Sequence, residues 1–135
     1  MASAATATIK RLFAVSGGMC AFPKCTQPLV HLDKVTGRIC HIKAAKRGGP
    51  RYDVTQSEEE RHGFANLLLM CPIHHDVIDA DTVTYTVERL AAIKADHESR
   101  HLNGGEPTEE IAKQLISLEA TLRALAPTEE TLDQL

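Results

Sequence analysis

The 135-residue chain carries a net charge of −3, has no tryptophan and contains only 4% aromatic residues. This length is typical of one domain. The small number of aromatic side chains excludes a large aromatic core. The charge argues against a uniformly basic nucleic-acid binder, but the average hides an asymmetry. Residues 1–105 hold 13 basic and 11 acidic residues, whereas residues 106–135 hold 2 and 7. We therefore expect a main domain over residues 1–105 and an acidic C-terminal helical appendage over residues 106–135.

Short-range signals in the first half of the chain predict both helix and strand. Apolar residues at helical spacing predict a first helix over residues 5–15, which Gly17 and Gly18 end. Two short apolar stretches follow, at residues 29–32 and 38–42, and a turn-forming segment joins them. This arrangement predicts a β-hairpin.

The second half of the chain is predicted to be mainly helical. Ser57 and Glu60 have the spacing of a capping box and predict a short helix. The apolar run at residues 67–70 predicts a buried strand or extended segment. Pro72 suits the first turn of a helix, and Thr86 is placed to cap another.

A last helix is predicted from Thr108 to about Leu125. Its apolar residues have the 4, 3, 4, 3 spacing of a short heptad seam, namely Ile111, Leu115, Leu118, Leu122 and Leu125. One interpretation is that this seam makes a homodimer or binds a partner protein. The alternative is that the helix folds back on the core. Because the helix is acidic, we expect it to lie away from the basic surface of residues 43–51.

Two short-spaced pairs of metal-ligand residues lie far apart in the chain. Cys20 and Cys25 form the first pair, and Cys71 and His74 form the second. Three thiolates and one imidazole in this pattern predict a tetrahedral structural zinc site, with His75 as the alternative fourth ligand. No apolar export signal precedes them, so we expect a cytoplasmic protein without membrane association. Reducing conditions there favour metal binding over disulfides.

A basic stretch over residues 34–51 contains no acidic residue. One interpretation is a solvated face, and the other is a surface that contacts the phosphates of nucleic acid. On the second interpretation the phosphate-contacting residues are Lys43, Lys46, Arg47 and Arg51. Such contacts position DNA without reading its sequence, so we expect weak sequence preference.

Several of these segments together resemble the HNH endonuclease family, whose core is the ββα-metal fold. The resemblance covers roughly residues 9–101. The matching residues are Ser16-Gly17-Gly18 with Cys20 and Cys25, Ile39-Cys40-His41-Ile42, Gly49-Pro50-Arg51-Tyr52-Asp53, Asn66-Leu67 through Cys71, His74-His75, and Tyr85 through Leu90. The resemblance places the three residues that name the family at His41, Asn66 and His75. It implies a small zinc-stabilised ββα-metal core with flanking helices.

Each mapped residue has a chemical role that suits phosphodiester hydrolysis. His41 is expected to be the general base, since a neutral imidazole can take a proton from water near neutral pH. The resemblance implies that His75 and Asp79 hold a catalytic divalent metal, although the family commonly has a histidine at the position of Asp79. The two residues are four apart and share a helix face, which suits this role. The family resemblance implies that Asn66 braces the loop. The alternatives are a core histidine at position 41 and a surface or capping carboxylate at position 79.

The residue before the expected base departs from the family pattern. Many HNH sites have a carboxylate or histidine there, whereas this chain has Cys40. The catalytic metal is expected to be Mg²⁺ or Mn²⁺. A thiolate is a poor ligand for Mg²⁺ and a better one for softer metals, so Cys40 weakens the preference for Mg²⁺ and makes Ni²⁺ a further candidate. The remaining histidines are interpreted as structural or surface residues, namely His31, His62, His97 and His101.

The sequence thus predicts a metal-dependent DNA endonuclease of low sequence specificity. A narrower and less specific resemblance is to HNH domains that serve as effectors of bacterial anti-phage systems. The alternative from another functional class is a non-catalytic, zinc-bound module that binds DNA or a partner protein.

Overall fold

The computed structural model describes residues 3–101 and 109–125, where helices and two small antiparallel sheets form an α+β fold. The α-helices are Thr6–Ser16 (α1), Glu58–Arg61 (α2), Pro72–Ala80 (α3), Val87–Arg100 (α4) and Glu109–Leu125 (α5). The strands are Val30–His31 (β1), Lys34–Val35 (β2), Arg38–His41 (β3) and Leu67–Met70 (β4), and a 3₁₀ turn covers Phe64–Asn66. The predicted α+β class is confirmed. The predicted boundary between residues 105 and 106 lies outside the described residues.

Helix ends follow the local chemistry that the sequence predicts. At the start of α2 the Ser57 side chain accepts a hydrogen bond from the Glu60 amide, and the Glu60 carboxylate accepts one from the Ser57 amide. These two bonds complete the capping box. Pro72 occupies the first turn of α3, and the Thr86 hydroxyl accepts a hydrogen bond from the Arg89 amide at the start of α4.

The predicted hairpin between residues 29–32 and 38–42 is wrong. Instead β1 pairs with β2 across a two-residue turn in which Leu32 and Asp33 have φ values of 49° and 62°. Positive φ at both central positions is the geometry of a tight hairpin turn, so the strand closes on the segment just after it. Strand β3 is left to pair with β4, antiparallel and distant in the chain.

The sheet of β3 and β4 lies between the two halves of the core. All four residues of β4 are buried, which explains why the strand is a continuous apolar run instead of an alternating one. Leu68 and Met70 pack with α3, α4 and the loop after α1. Leu67 and Leu69 pack with α1 and α5. Helix α2 and the 3₁₀ turn lie between β3 and β4 in the chain, and α3 begins directly after β4, so a helix follows the pair of strands.

Helix α5 packs on α1 and on β3, which is the fold-back alternative. The buried residues of the helix are Ala112, Leu115, Glu119 and Arg123. Ile111 and Leu115 of the predicted seam pack on the core, whereas Leu122 and Leu125 are exposed, so only the first part of the seam packs. The expectation that α5 avoids the basic surface is also wrong, because the Lys46 ammonium donates a hydrogen bond to the Arg123 carbonyl at 3.2 Å.

Packing of α5 on the core predicts different costs for two of its leucines. Leu115 is 1% exposed and Leu125 is 77% exposed. Leu115→Ala is therefore expected to lower the free energy of unfolding by about 2–5 kcal/mol, as for other buried leucines. Leu125→Ala is expected to change it by no more than about 0.5 kcal/mol. Urea unfolding of both variants tests this, and equal stabilities would contradict the packing.

Candidate functional site

Four predicted metal ligands come together between the loop after α1 and the start of α3. The ligand atoms of Cys20, Cys25, Cys71 and His74 all lie within 4.8 Å of one another, close enough to hold a metal ion. The His74 Nδ1 atom is 3.3 Å from the Cys71 sulfur and 3.6 Å from the Cys20 sulfur.

Backbone structure and ring stacking hold these ligands in place. The Cys25 amide donates to the Phe22 carbonyl at 3.0 Å, which closes the tight loop that carries the first two cysteines. The Phe22 ring stacks on the His74 ring, with centroids 4.0 Å apart and an interplanar angle of 5°. His74 therefore belongs to the metal-ligand cluster, and the alternative in which His75 replaces it does not fit this arrangement.

Burial makes the Cys20 thiol hard to ionise without a cation. It raises the pKa of Cys20 to about 12, and the neighbouring Cys71 thiol adds to the increase. A bound cation would reverse this shift, because thiolates are stabilised strongly by a coordinated metal. Cys40 lies outside the cluster and is buried in the apolar core, and its burial raises its pKa well above the usual range.

A second group of predicted residues meets in a cavity beside β3. His41, His75 and Asp79 all contribute to its wall. The cavity has a volume of about 150 Å³. Its other lining residues are Ile39, Ala44, Ala45, Lys46, Gly49, Pro50, Glu119, Leu122 and Arg123. The cavity therefore lies between the end of β3, helix α3 and the last turns of α5.

His41 is held between two other side chains. Its Nε2 atom is 3.3 Å from His62 Nδ1, and its Nδ1 atom is 3.6 Å from a carboxylate oxygen of Glu119. Burial, followed by the His62 and Arg123 charges, lowers the pKa of His41 to about 3. Both carboxylate oxygens of Glu119 accept hydrogen bonds from the Arg123 guanidinium at 2.9 Å.

His75 and Asp79 lie on one face of α3, as their spacing predicts. The His75 Nε2 atom is 3.9 Å from one Asp79 carboxylate oxygen. The other oxygen accepts a hydrogen bond from Arg51 at 2.7 Å, which anchors the carboxylate at the cavity wall. His75 Nδ1 lies 3.0 Å from an Asp76 oxygen.

Asn66 joins two segments on either side of β3 and β4. Its side-chain oxygen accepts a hydrogen bond from the Lys43 amide at 3.0 Å. Its side-chain nitrogen donates to the Lys43 carbonyl at 2.9 Å and to the Arg61 carbonyl at 2.8 Å. The amide therefore fixes the chain just after His41 to the segment that ends α2.

The basic residues near the cavity differ in their surroundings. The Lys43 ammonium pairs with Asp53 at 2.8 Å, and Arg47 is exposed. The Arg51 side chain is only 4% exposed, and its guanidinium donates to Asp79 and to backbone carbonyls of Ile42, Ile78 and Tyr85. Arg51 thus ties the loop after β3 to α3, and its guanidinium does not face solvent as a phosphate contact requires.

Comparison of the sequence with protein-family models and with curated proteins found no match. Among the helices of residues 3–101 and 109–125, none has both the length and the apolar composition to cross a membrane.

Three residues of the cavity region were not predicted as site residues, namely His62, Glu119 and Arg123. His62 was interpreted as structural or surface, and the two charged residues were assigned only to the acidic helix. Because they come from segments distant from His41, no local spacing rule indicates their proximity. The one available signal was an Arg placed four residues after a Glu on the helix, which usually indicates a surface pair.

Proposed function

We propose that this protein is a metal-dependent endonuclease of the HNH type that hydrolyses DNA phosphodiester bonds with low sequence specificity. The observation that carries the proposal is the meeting of His41, His75 and Asp79 at one cavity. His41 ends β3, Asn66 lies directly before its partner strand β4, and His75 and Asp79 lie on the helix after β4, an arrangement that supports a ββα-metal core in which α2 is inserted between the strands. A role as an anti-phage effector stays a prediction.

The metal of the Cys20, Cys25, Cys71 and His74 cluster is proposed to be structural zinc. Three thiolates and one imidazole, two of them buried and two half-buried, are the donor set of such sites. The cluster joins the loop after α1 to the first turn of α3, and His75 is the next residue of that helix. Zinc binding would therefore fix the orientation of the helix that carries His75 and Asp79.

His41 is proposed to accept a proton from the attacking water. Its low pKa keeps the imidazole neutral at physiological pH, which a proton acceptor requires. The same low pKa makes the buried ring a weak base. Since burial is its largest cause, hydration of the cavity on substrate binding would raise the pKa toward the usual value and strengthen the base.

His75 and Asp79 are proposed to hold the catalytic divalent metal. The Asp79 carboxylate suits Mg²⁺ or Mn²⁺, and the His75 imidazole suits Ni²⁺. Two protein ligands are enough, because such ions keep several water or phosphate ligands. When bound, the metal supplies charge stabilisation for the phosphate and the leaving oxygen.

Phosphate contacts are proposed for Lys43, Lys46 and Arg47, all on the loop that follows His41. We omit Arg51 from this set, because its guanidinium is buried and hydrogen-bonded within the protein. Ionic contacts to the backbone carry no base information, so cleavage should show weak sequence preference.

The packing of α5 favours a second candidate, a non-catalytic zinc module that binds DNA or a partner protein. Glu119 and Arg123 lie over His41, and the Glu119 carboxylate would repel a phosphate at that position. If the protein is an endonuclease, the last turns of α5 must move away from His41 when a DNA strand binds in the cavity. If it is a non-catalytic module, these turns remain in place.

Plasmid cleavage in Mg²⁺, Mn²⁺, Ni²⁺ or EDTA separates the two candidates. The endonuclease should nick plasmid with a divalent ion and be silent in EDTA. In the same assay His75→Ala should raise the concentration of divalent ion needed for half-maximal activity roughly 10–100-fold, the usual cost of weakening a metal site. His31→Ala is the matched control, since His31 is an exposed histidine on β1.

Two results would count against these assignments. A wild-type protein that leaves plasmid intact under every metal condition would favour the non-catalytic module. Loss of the tightly held metal from His75→Ala would instead place His75 in the cysteine cluster.

A further inference from the structure

His62 is buried and held rigidly at the end of α2, although α2 itself is only one turn long. The residue is 7% exposed, and its amide donates to the Glu58 carbonyl at 3.2 Å. The preceding residue, Arg61, donates from its guanidinium to Glu58 at 2.7 Å and to the Tyr52 hydroxyl at 2.9 Å. Asn66 donates to the Arg61 carbonyl, so the segment is fixed from both sides.

The His62 ring meets the His41 ring edge to face. The centroids are 5.3 Å apart with an interplanar angle of 87°, and His62 Nδ1 lies 3.3 Å from His41 Nε2. Burial lowers the pKa of both rings, so both are neutral near pH 7. A neutral imidazole has one donor and one acceptor nitrogen. One ring therefore donates to the other, and the direction decides which His41 nitrogen can accept a proton.

The charges around the pair favour one direction. The Glu58 carboxylate lies 3.8 Å from His62 Nε2, and its negative charge favours a proton on that nitrogen. His62 Nδ1 is then the acceptor and His41 Nε2 the donor. On the other side Glu119 would favour a proton on His41 Nδ1, and each of the two carboxylates also pairs with an arginine. The Glu119 oxygen near His41 accepts a hydrogen bond from Arg123, whereas the arginine beside Glu58 binds the other Glu58 oxygen and not the one near His62. The charge of the Glu58 oxygen near His62 is therefore the less offset of the two.

We infer that His62 is a positioning residue: it accepts a hydrogen bond from His41 Nε2 and so keeps His41 Nδ1 as the proton acceptor. Nδ1 is the nitrogen on the Glu119 side, where the cavity with His75 and Asp79 lies, whereas His62 does not line that cavity. The catalytic role of this hydrogen bond rests on the proposed function. The hydrogen bond between the two histidines is inferred from the geometry alone and does not depend on that function.

Nitrogen NMR of the full-length protein labelled with ¹⁵N-histidine tests the hydrogen bond directly. Long-range proton–nitrogen correlations distinguish the two tautomers of a neutral imidazole, and His41→Ala assigns the His41 signals. We expect wild-type His41 near pH 7 to carry its proton on Nε2. His62→Asn keeps an acceptor oxygen at the place of Nδ1 and should keep this tautomer. His62→Leu removes the acceptor and should shift the population toward the other tautomer.

Plasmid cleavage by the same variants tests the consequence for catalysis. His62→Leu should lower kcat on the order of 10–100-fold with little change in KM, the usual effect of losing the partner that orients a functional histidine. His62→Asn should recover most of kcat. A merely structural role would instead be shown by equal losses in both variants or by a loss confined to KM.

Three results overturn the inference: a proton on Nδ1 of wild-type His41, an unchanged tautomer in His62→Leu, or wild-type kcat in His62→Leu. If circular dichroism shows that His62→Leu is unfolded, the inference is tested by the His41 tautomers of the wild-type protein and of His62→Asn. Both should carry the proton on Nε2. If the wild-type protein cleaves no DNA, the proposed function fails, and the tautomers alone decide whether His62 orients His41.

Discussion

Replacing Cys71 with serine is expected to unfold the protein. Metal binding to a structural zinc site contributes an apparent free energy on the order of 10 kcal/mol at neutral pH. This is comparable with the whole stability of a small domain, about 5–15 kcal/mol. Cys71 also lies where β4 meets α3 and belongs to the apolar cluster that includes Cys20, Leu68 and Ile78, so losing the metal is expected to loosen that cluster. Circular dichroism and elemental analysis of the purified variant measure both effects.

Cys40→Ala is the matched control for this prediction. Cys40 is also a buried cysteine, packed in the same apolar cluster but outside the four-ligand group. Its replacement should leave about one zinc per chain, as four ligands predict, and cost only the loss of a small buried side chain. A strong chelator added to the wild-type protein should reproduce the Cys71→Ser spectrum. A metal-free protein with wild-type helicity and melting temperature would show that zinc does not support this fold.

Features set by neighbouring residues could be predicted from the sequence. The capping box at Ser57, the helix start at Pro72 and the cap at Thr86 each depend on atoms within four residues of one another. The metal-ligand cluster was predictable for a related reason. Only a few kinds of site use two short-spaced pairs of metal ligands. The ligand pattern therefore predicts that the two pairs meet, although Cys25 and Cys71 are far apart in the sequence.

Features set by contacts between distant segments could not be predicted in the same way. The sequence predicts that β3 pairs with the apolar stretch just before it, whereas it pairs with β4 beyond a segment that contains α2 and the 3₁₀ turn. The buried face of α5 is another example. Apolar spacing pointed to Leu122 and Leu125, but the last turns bury Glu119 and Arg123 against His41. The spacing of hydrophobic residues cannot predict a buried face that contains an ion pair.

Basic composition also gave an incomplete account of the cavity region. A run of lysines and arginines indicates a positive surface on average. It does not show that one guanidinium, that of Arg51, turns inward to donate to backbone carbonyls and to Asp79. The fork of donors on arginine suits this role, because one side chain can satisfy several buried carbonyls at once.

Replacing His41 with alanine is expected to abolish most DNA cleavage while DNA binding stays nearly unchanged. Removing a general base typically lowers the rate on the order of 10²–10⁴-fold. The proposed phosphate contacts lie on the following loop and are not altered by the substitution. Initial rates of plasmid nicking in Mn²⁺ give the loss, and gel shifts without added divalent ion and without a chelator give the affinity. His31→Ala, on an exposed strand residue, should keep the wild-type rate.

Added imidazole separates loss of the base from loss of structure. His41 fills part of the cavity wall, so truncation to alanine leaves space for a small molecule beside His75 and Glu119. If His41 acts as the proton acceptor, free imidazole should restore part of the nicking rate of His41→Ala and leave His75→Ala unchanged. Melting curves must show that both variants are folded. Nicking by His41→Ala at the wild-type rate without imidazole would remove His41 from the mechanism. The cavity would then fit the non-catalytic zinc module, in which Glu119 and Arg123 keep His41 covered.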